Sequence, residues 1–241
     1  MNFIHPYVEI YTEPKELKKE LGIGFYREVI WLFLKHLDNG LKLYQHRVNV
    51  RIHAEESAAE TAQFASIFEY RLGVDVDAFK KKTEAQKRRA LLELLRDAFV
   101  TLGEKYAWDL ERIHHAYELS VKEEFQFAYQ SPAKRSRNRK YLGCILIELN
   151  EGIATFSAEF RSLNGAWVKK TELLQTDEGN GSWHRYFRKF GWINNAQFGL
   201  TLLHGQLRII TSIHHNEVEY LIEPGDMNRA DIQEFLDELR I

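Results

Sequence analysis

The apolar residues of this chain change period twice, and that change limits the folds open to it. In Leu41–His53 they recur at every second position. His46, Val48, Val50 and Ile52 fall on one side, and Gln45, Arg47, Asn49, Arg51 and His53 on the other. This is the alternation of a β-strand with one buried face. Phe3–Tyr11, rich in β-branched and aromatic residues, predicts an earlier strand. Phe64, Ser66, Phe68, Tyr70 and Leu72 give another alternating run.

Between Thr83 and Val121 the period becomes helical. Thr83 and Gln86 have the spacing of a capping box, in which a threonine hydroxyl and a glutamine amide satisfy each other's backbone N–H groups. Leu91, Leu92, Leu95, Ala98, Phe99 and Leu102 then form one stripe, closed by Gly103. A second stripe runs through Leu110, Ile113, Tyr117 and Val121. From Phe125 alternation returns. Strands are expected over Tyr141–Leu149, Ile153–Arg161, Trp167–Leu174, Gln197–Leu203, Gln206–Ile213 and Val218–Ile222, with a hairpin turn at Asn164–Gly165.

Four further helices are expected. One starts at Thr12 before Glu13–Pro14. A largely buried one uses Phe25, Tyr26, Val29, Ile30, Leu32, Phe33 and Leu37, with an apolar strand through Val29–Leu34 as the competing reading. A third spans Ser182–Gly191, where Trp183, Tyr186, Phe187 and Phe190 share a face. The last carries Ile232, Phe235, Leu236 and Leu239 near the C-terminus. Together these predict an α+β chain: antiparallel sheets, a central helical pair and a C-terminal helix. The 241 residues fit one unit. A division into a mixed half, 1–122, and a mainly antiparallel half, 123–241, fits as well.

The net charge of −2 gives no overall field to draw in nucleic acid or acidic membranes, so electrostatic recognition falls to local patches. No apolar run is long enough to span a bilayer. The first residues lack a basic segment followed by a long apolar one, so no signal peptide is expected. The single cysteine, Cys144, excludes an internal disulfide and multi-cysteine metal centres. Its apolar neighbours predict an inert strand residue. A cytoplasmic location follows as the expectation.

Charge is concentrated instead. Lys134, Arg135, Arg137, Arg139 and Lys140 crowd into seven positions between two expected strands. The run therefore reads as a charged hairpin loop rather than a linker. Arg185, Arg188 and Lys189 lie on the face of the Ser182–Gly191 helix opposite its aromatics. Lys80, Lys81 and Lys82 precede the capping box, where cations oppose the helix dipole. These eleven residues are the candidate contacts for an anionic partner. Arg47, Asn49, Arg51 and His53 form a further polar face, suited either to solvent or to a groove.

No catalytic signature emerges. His53–Ala54–Glu55 matches part of a zinc-deaminase motif, but the required Pro-Cys-x-x-Cys is missing. Gly22–Ile23–Gly24 lacks the rest of a nucleotide-binding loop. His114–His115 point apart on a helix, and Asp75–Val76–Asp77 is better read as a helix cap at Asp77. Neither metal nor cofactor is expected. A dispersed site of His53, Glu55, Glu56, Asp75 and Asp77 is the arrangement an enzyme would need. The leading expectation is a non-enzymatic cytosolic module that binds another protein, such as a toxin-neutralising (immunity-type) or regulatory partner. The alternative is a nucleic-acid-binding component that uses the loop 134–140 and the neighbouring basic faces.

Overall fold

The computed structural model describes residues 7–17, 21, 27–37, 41, 43, 46–54, 59–150, 152–177, 189–223, 225, 232, 233 and 237. The chain forms two compact units, Met1–Phe127 and Ala128–Ile241.

In the first unit, β1 (Tyr7–Glu13), β2 (Arg47–His53), β3 (Glu60–Phe64) and β4 (Ile67–Gly73) make a sheet of order β1-β2-β4-β3. β2 pairs in parallel with both β1 and β4, and β3 pairs antiparallel to β4. The helix α1 (Arg27–Leu37) provides the crossover that a parallel β1–β2 pair requires. Alternation then sorts the faces. Val8, Ile10, Val48, Val50, Ile52, Phe68 and Tyr70 join one buried cluster with Val29 and Phe33 of α1. The same cluster takes Leu91, Leu95, Ala98, Phe99 and Leu102 from α3 (Glu84–Tyr106), and Ile113 and Ala116 from α4 (Leu110–Lys122). A short α2 (Val76–Lys80) precedes α3.

The local signals act as physics requires. Gln86 N donates to the Thr83 hydroxyl at 3.3 Å, and Thr83 N donates to the Gln86 side chain at 2.8 Å. Gly103 does not end α3. The helix continues to Tyr106 and stops at left-handed Ala107, φ 57°. A Cβ on Gly103 would sit 2.7 Å from a methyl of Leu110, so the glycine lets the following helix approach closely. Asp75, not Asp77, caps α2, accepting from Ala78 N at 2.9 Å.

The second unit contains two sheets. β5 (Phe127–Gln130), which crosses the division, together with β7 (Tyr141–Asn150), β8 (Ile153–Ser162) and β9 (Trp167–Asp177), lies in the order β5-β7-β8-β9. β6 (Lys134–Arg135) also pairs with β7. The other sheet is an antiparallel meander of β10 (Lys189–Trp192), β11 (Gln197–Leu202), β12 (Leu207–Ser212) and β13 (Val218–Ile222). The sheets pack through aromatics: the Phe160 ring meets that of Phe198 edge-on at 5.9 Å and that of Trp192 at 5.7 Å. Gly143 fits under them, since a Cβ there would lie 2.9 Å from the Phe198 ring and 3.1 Å from Trp192.

The expected fold class is overturned. The chain is mostly β: 44% of the described residues are strand, in three sheets, against 31% helical. The cause is strand pairing that periodicity cannot show. The alternating run through Phe64–Leu72 is two strands folded back at Ala65–Ser66, with Thr61 opposite Tyr70. Thr12 does not start a helix, because it lies within β1 opposite Ile52. The helix expected up to Gly191 gives way over Lys189–Trp192 to a strand paired with β11. Its earlier part, residues 182–188, lies outside the described residues, as does most of the expected C-terminal helix.

Candidate interaction site

The basic run is neither a linker nor a free loop. Its first two residues form β6, with Lys134 opposite Gly143 and Arg135 opposite Leu142. Lys134, exposed like Arg135, lies against β10. Its ammonium donates to Phe190 O at 2.5 Å and lies 4.1 Å from the centre of the Phe190 ring, while its carbonyl accepts from Trp192 Nε1 at 2.8 Å.

The next residues make a tight turn around Ser136. Ser136 N donates to Tyr141 O, and Ser136 O accepts from Arg139 N, both at 2.9 Å. The Ser136 hydroxyl donates to Asn138 at 2.7 Å and accepts from Tyr141 N at 3.1 Å. Arg139 takes a left-handed backbone, φ 57°. Ser136 is buried, whereas Arg135, Arg137, Arg139 and Lys140 are exposed. Among the described residues no carboxylate pairs with these four.

Sheet register adds residues that sequence reasoning missed. Arg135 lies opposite Leu142, Leu142 opposite Arg161, and Arg161 opposite Trp167. Directly paired residues point to the same face. One row across β6, β7 and β8 therefore reads Arg135, Leu142, Arg161, and Trp167 of β9 continues it across a register shift between Phe160 and Arg161, where Val168 is the extra residue. Trp167 is 65% exposed, and its hairpin neighbours Leu163 and Val168 are exposed too. Glu159 holds Arg161 with two hydrogen bonds, at 2.8 and 3.2 Å. The Asn164–Gly165 turn signal foretold the hairpin, but no pattern in the sequence marks its tryptophan as exposed.

The next row holds Cys144 opposite Glu159. Gln130 donates to the Glu159 carboxylate at 2.6 Å and to Cys144 Sγ at 3.2 Å. Burial raises the Cys144 pKa, and the neighbouring Glu159 charge adds to the effect. The sulfur is thus kept as a thiol, which is a poor nucleophile.

The other candidate residues separate into distinct places. Lys189 is exposed at the start of β10, opposite Thr201. Arg185 and Arg188 lie outside the described residues. Lys80, Lys81 and Lys82 belong to the first unit, at the end of α2 and in the turn after it. Lys81 and Lys82 border an open cleft with Gln86, Arg89 and Glu93. The cations that follow are matched by carboxylates: Lys87 with Glu84, Arg88 with Glu28 and Arg89 with Glu93, each at 3.0 Å. Lys87, Arg88 and Arg89 are thus neutralised by their own surroundings, whereas among the described residues no carboxylate pairs with exposed Lys81 and Lys82.

The polar face of the first sheet is also internally matched. Arg47 pairs with Glu9 and bonds to Tyr11 and Asn49. Arg51 joins Glu69 at 2.7 Å and Glu13 at 2.9 Å, and Arg71 joins Glu69 at 2.5 Å. Burial pushes the Glu69 carboxyl up, but hydrogen bonds from Arg51 and Arg71 outweigh it and hold the pKa below its ordinary value. Arg51 is raised in turn, chiefly by its bond to Glu69. This is a cross-linked lattice of charges rather than a set of free ligands.

Of the dispersed enzyme set, His53 faces Glu13 at 3.4 Å and Asp75 serves as a helix cap. Glu55 and Glu56 lie outside the described residues. His114 and His115 line a cleft with His36 and Glu118, yet among the described residues no group of three His, Cys, Asp or Glu side chains is placed to hold a metal. No helix among the described residues is long and apolar enough to cross a membrane. No known family model matches the chain, and no curated protein or solved structure is significantly similar to it.

Proposed function

We propose that this chain is a non-enzymatic protein-binding module of the cytosol, which neutralises or regulates a partner carrying an acidic surface. The observation that supports the reading most is the contrast between Lys87, Arg88 and Arg89 and the cations of the Ser136 turn. Around Lys87, Arg88 and Arg89 the positive charge is matched within the fold. At Arg135, Arg137, Arg139 and Lys140 it is exposed on a turn fixed by hydrogen bonds, without carboxylate partners among the described residues. Exposed cations of this kind steer association with a surface of opposite charge. A cytosolic setting agrees with a single cysteine held as a buried thiol.

Acidic residues near the same strands favour a protein over a nucleic acid. Glu172 is exposed on β9, and Glu148 of β7 reaches Lys170 at 2.5 Å. A phosphate backbone laid along this sheet meets these carboxylates, whereas a protein surface can match both signs. The test is affinity purification from the source cells with the native chain and with Arg135, Arg137 and Arg139 all changed to Ala. The expected result is one stoichiometric protein partner, lost with the triple variant. Recovery of nucleic acid instead, or of no stoichiometric partner, overturns the reading.

A further inference from the structure

Resting on that reading, we propose that the row Arg135–Leu142–Arg161–Trp167 and the adjoining turn form the docking surface, and that its occupant is an acidic amphipathic segment of the partner protein. The row sets what fits. Its four strands are separated by three spacings of about 4.8 Å, so Arg135 and Trp167 stand roughly 14 Å apart. That is the length of about four extended residues. A cation stands at one end, an exposed indole at the other, and between them a half-buried leucine and a second arginine.

The chemistry of the occupant follows from the two ends. Trp167, with Leu163 and Val168 exposed on the same hairpin, calls for an aliphatic or aromatic side chain. Tryptophan and arginine are the residue types that dominate binding energy at protein interfaces. Arg135, which has no carboxylate partner among the described residues, calls for a carboxylate, which a guanidinium group can bind with two parallel hydrogen bonds; Arg161 is already paired with Glu159 and adds only its outer N–H groups. Glu159 already orients Arg161, fixing the plane of its fork. Arg137, Arg139 and Lys140 extend the positive rim. A segment that interleaves carboxylates with apolar side chains matches this arrangement, and one with carboxylates alone leaves the indole in water.

Two labelled peptides of equal length and charge test the inference, one alternating aspartate with leucine and one alternating aspartate with serine, beside a thymidine oligonucleotide. Binding is read by fluorescence anisotropy to the whole chain and to Trp167→Ala, Trp167→Phe and the triple arginine variant. The aspartate–leucine peptide is expected to bind the native chain on the order of tenfold more tightly than the serine peptide. Trp167→Ala is expected to remove that advantage, Trp167→Phe to retain most of it, and the triple variant to weaken both peptides. Thermal unfolding of Trp167→Ala should match the native chain, because the indole is exposed. Equal binding of both peptides, no effect of Trp167→Ala, or no peptide binding overturns the docking surface. If the peptides still need the arginines in that case, the protein-binding reading survives. If the oligonucleotide binds more tightly than either peptide and loses affinity in the triple variant, both fall.

Discussion

Gly143 offers a direct test of the aromatic seam between the two sheets of the second unit. Changing it to Ala places a methyl 2.9 and 3.0 Å from two atoms of the Phe198 ring and 3.1 Å from Trp192. Phe198 is fully buried, so its ring has little room to retreat. Forcing an extra carbon into a packed core costs about 1–3 kcal/mol. Against this, alanine restricts the unfolded chain and returns about 0.4–1 kcal/mol. The net expectation is a loss of about 1–2 kcal/mol. Phe198→Leu removes the ring atoms that the new methyl meets, at a cost of its own of about 1–2 kcal/mol for lost buried volume. The double variant should therefore be more stable than the sum of the two, with a coupling near 1 kcal/mol. Amide hydrogen exchange of β7 and β11, followed by mass spectrometry, reads this unit specifically. A neutral or stabilising Gly143→Ala, or costs that add within about 0.3–0.5 kcal/mol, would refute the packing argument.

Two other outcomes follow from the buried polar groups. Because the folded pKa of Glu69 is depressed, its contribution is complete above the ordinary glutamate value of about 4.3 and is lost as pH falls through the lower folded value. Urea midpoints should then show the native chain converging on Glu69→Gln below about pH 4, and parallel profiles down to pH 3 would exclude the ion-pair account. Cys144, buried and with its pKa raised, should resist a thiol-specific reagent at pH 8 until the chain is unfolded; rapid labelling of the native protein would contradict its placement.

What the sequence made legible was local. Thr83 and Gln86 sit three apart and close their box without help from the rest of the chain. Val48, Val50 and Ile52 alternate because one face of β2 is buried. The apolar stretch from Val29 to Leu34 fitted a buried helix or a strand, and the structure makes it helix. What stayed hidden depends on partners distant along the chain. Tyr11 pairs with Arg51, and Arg51 with Arg71, and nothing in β1 announces a parallel neighbour. Ala65 reverses the chain with φ 53°, although the turn at Ala65–Ser66 contains neither Gly nor Asn. Phe190 fits a helical aromatic stripe, yet pairing with Leu200 makes it extended. At the candidate site the cations were visible as a cluster. Arg161 and Trp167 were not, because only register places them in line with Arg135.

The turn at Ser136 has a consequence for the thermodynamics of association. Ordering the backbone of one residue costs about 1–2 kcal/mol of conformational entropy. A disordered basic tail must lose that freedom, over each residue that makes contact, at the moment it binds. Here Ser136–Lys140 is fixed by its own hydrogen bonds, and the start of β6 is fastened through Lys134 to Phe190. The entropy is lost during folding instead, and only the tips of Arg137, Arg139 and Lys140 remain to be ordered by a partner. The same charges can then hold that partner with fewer contacts than an unstructured run of equal composition.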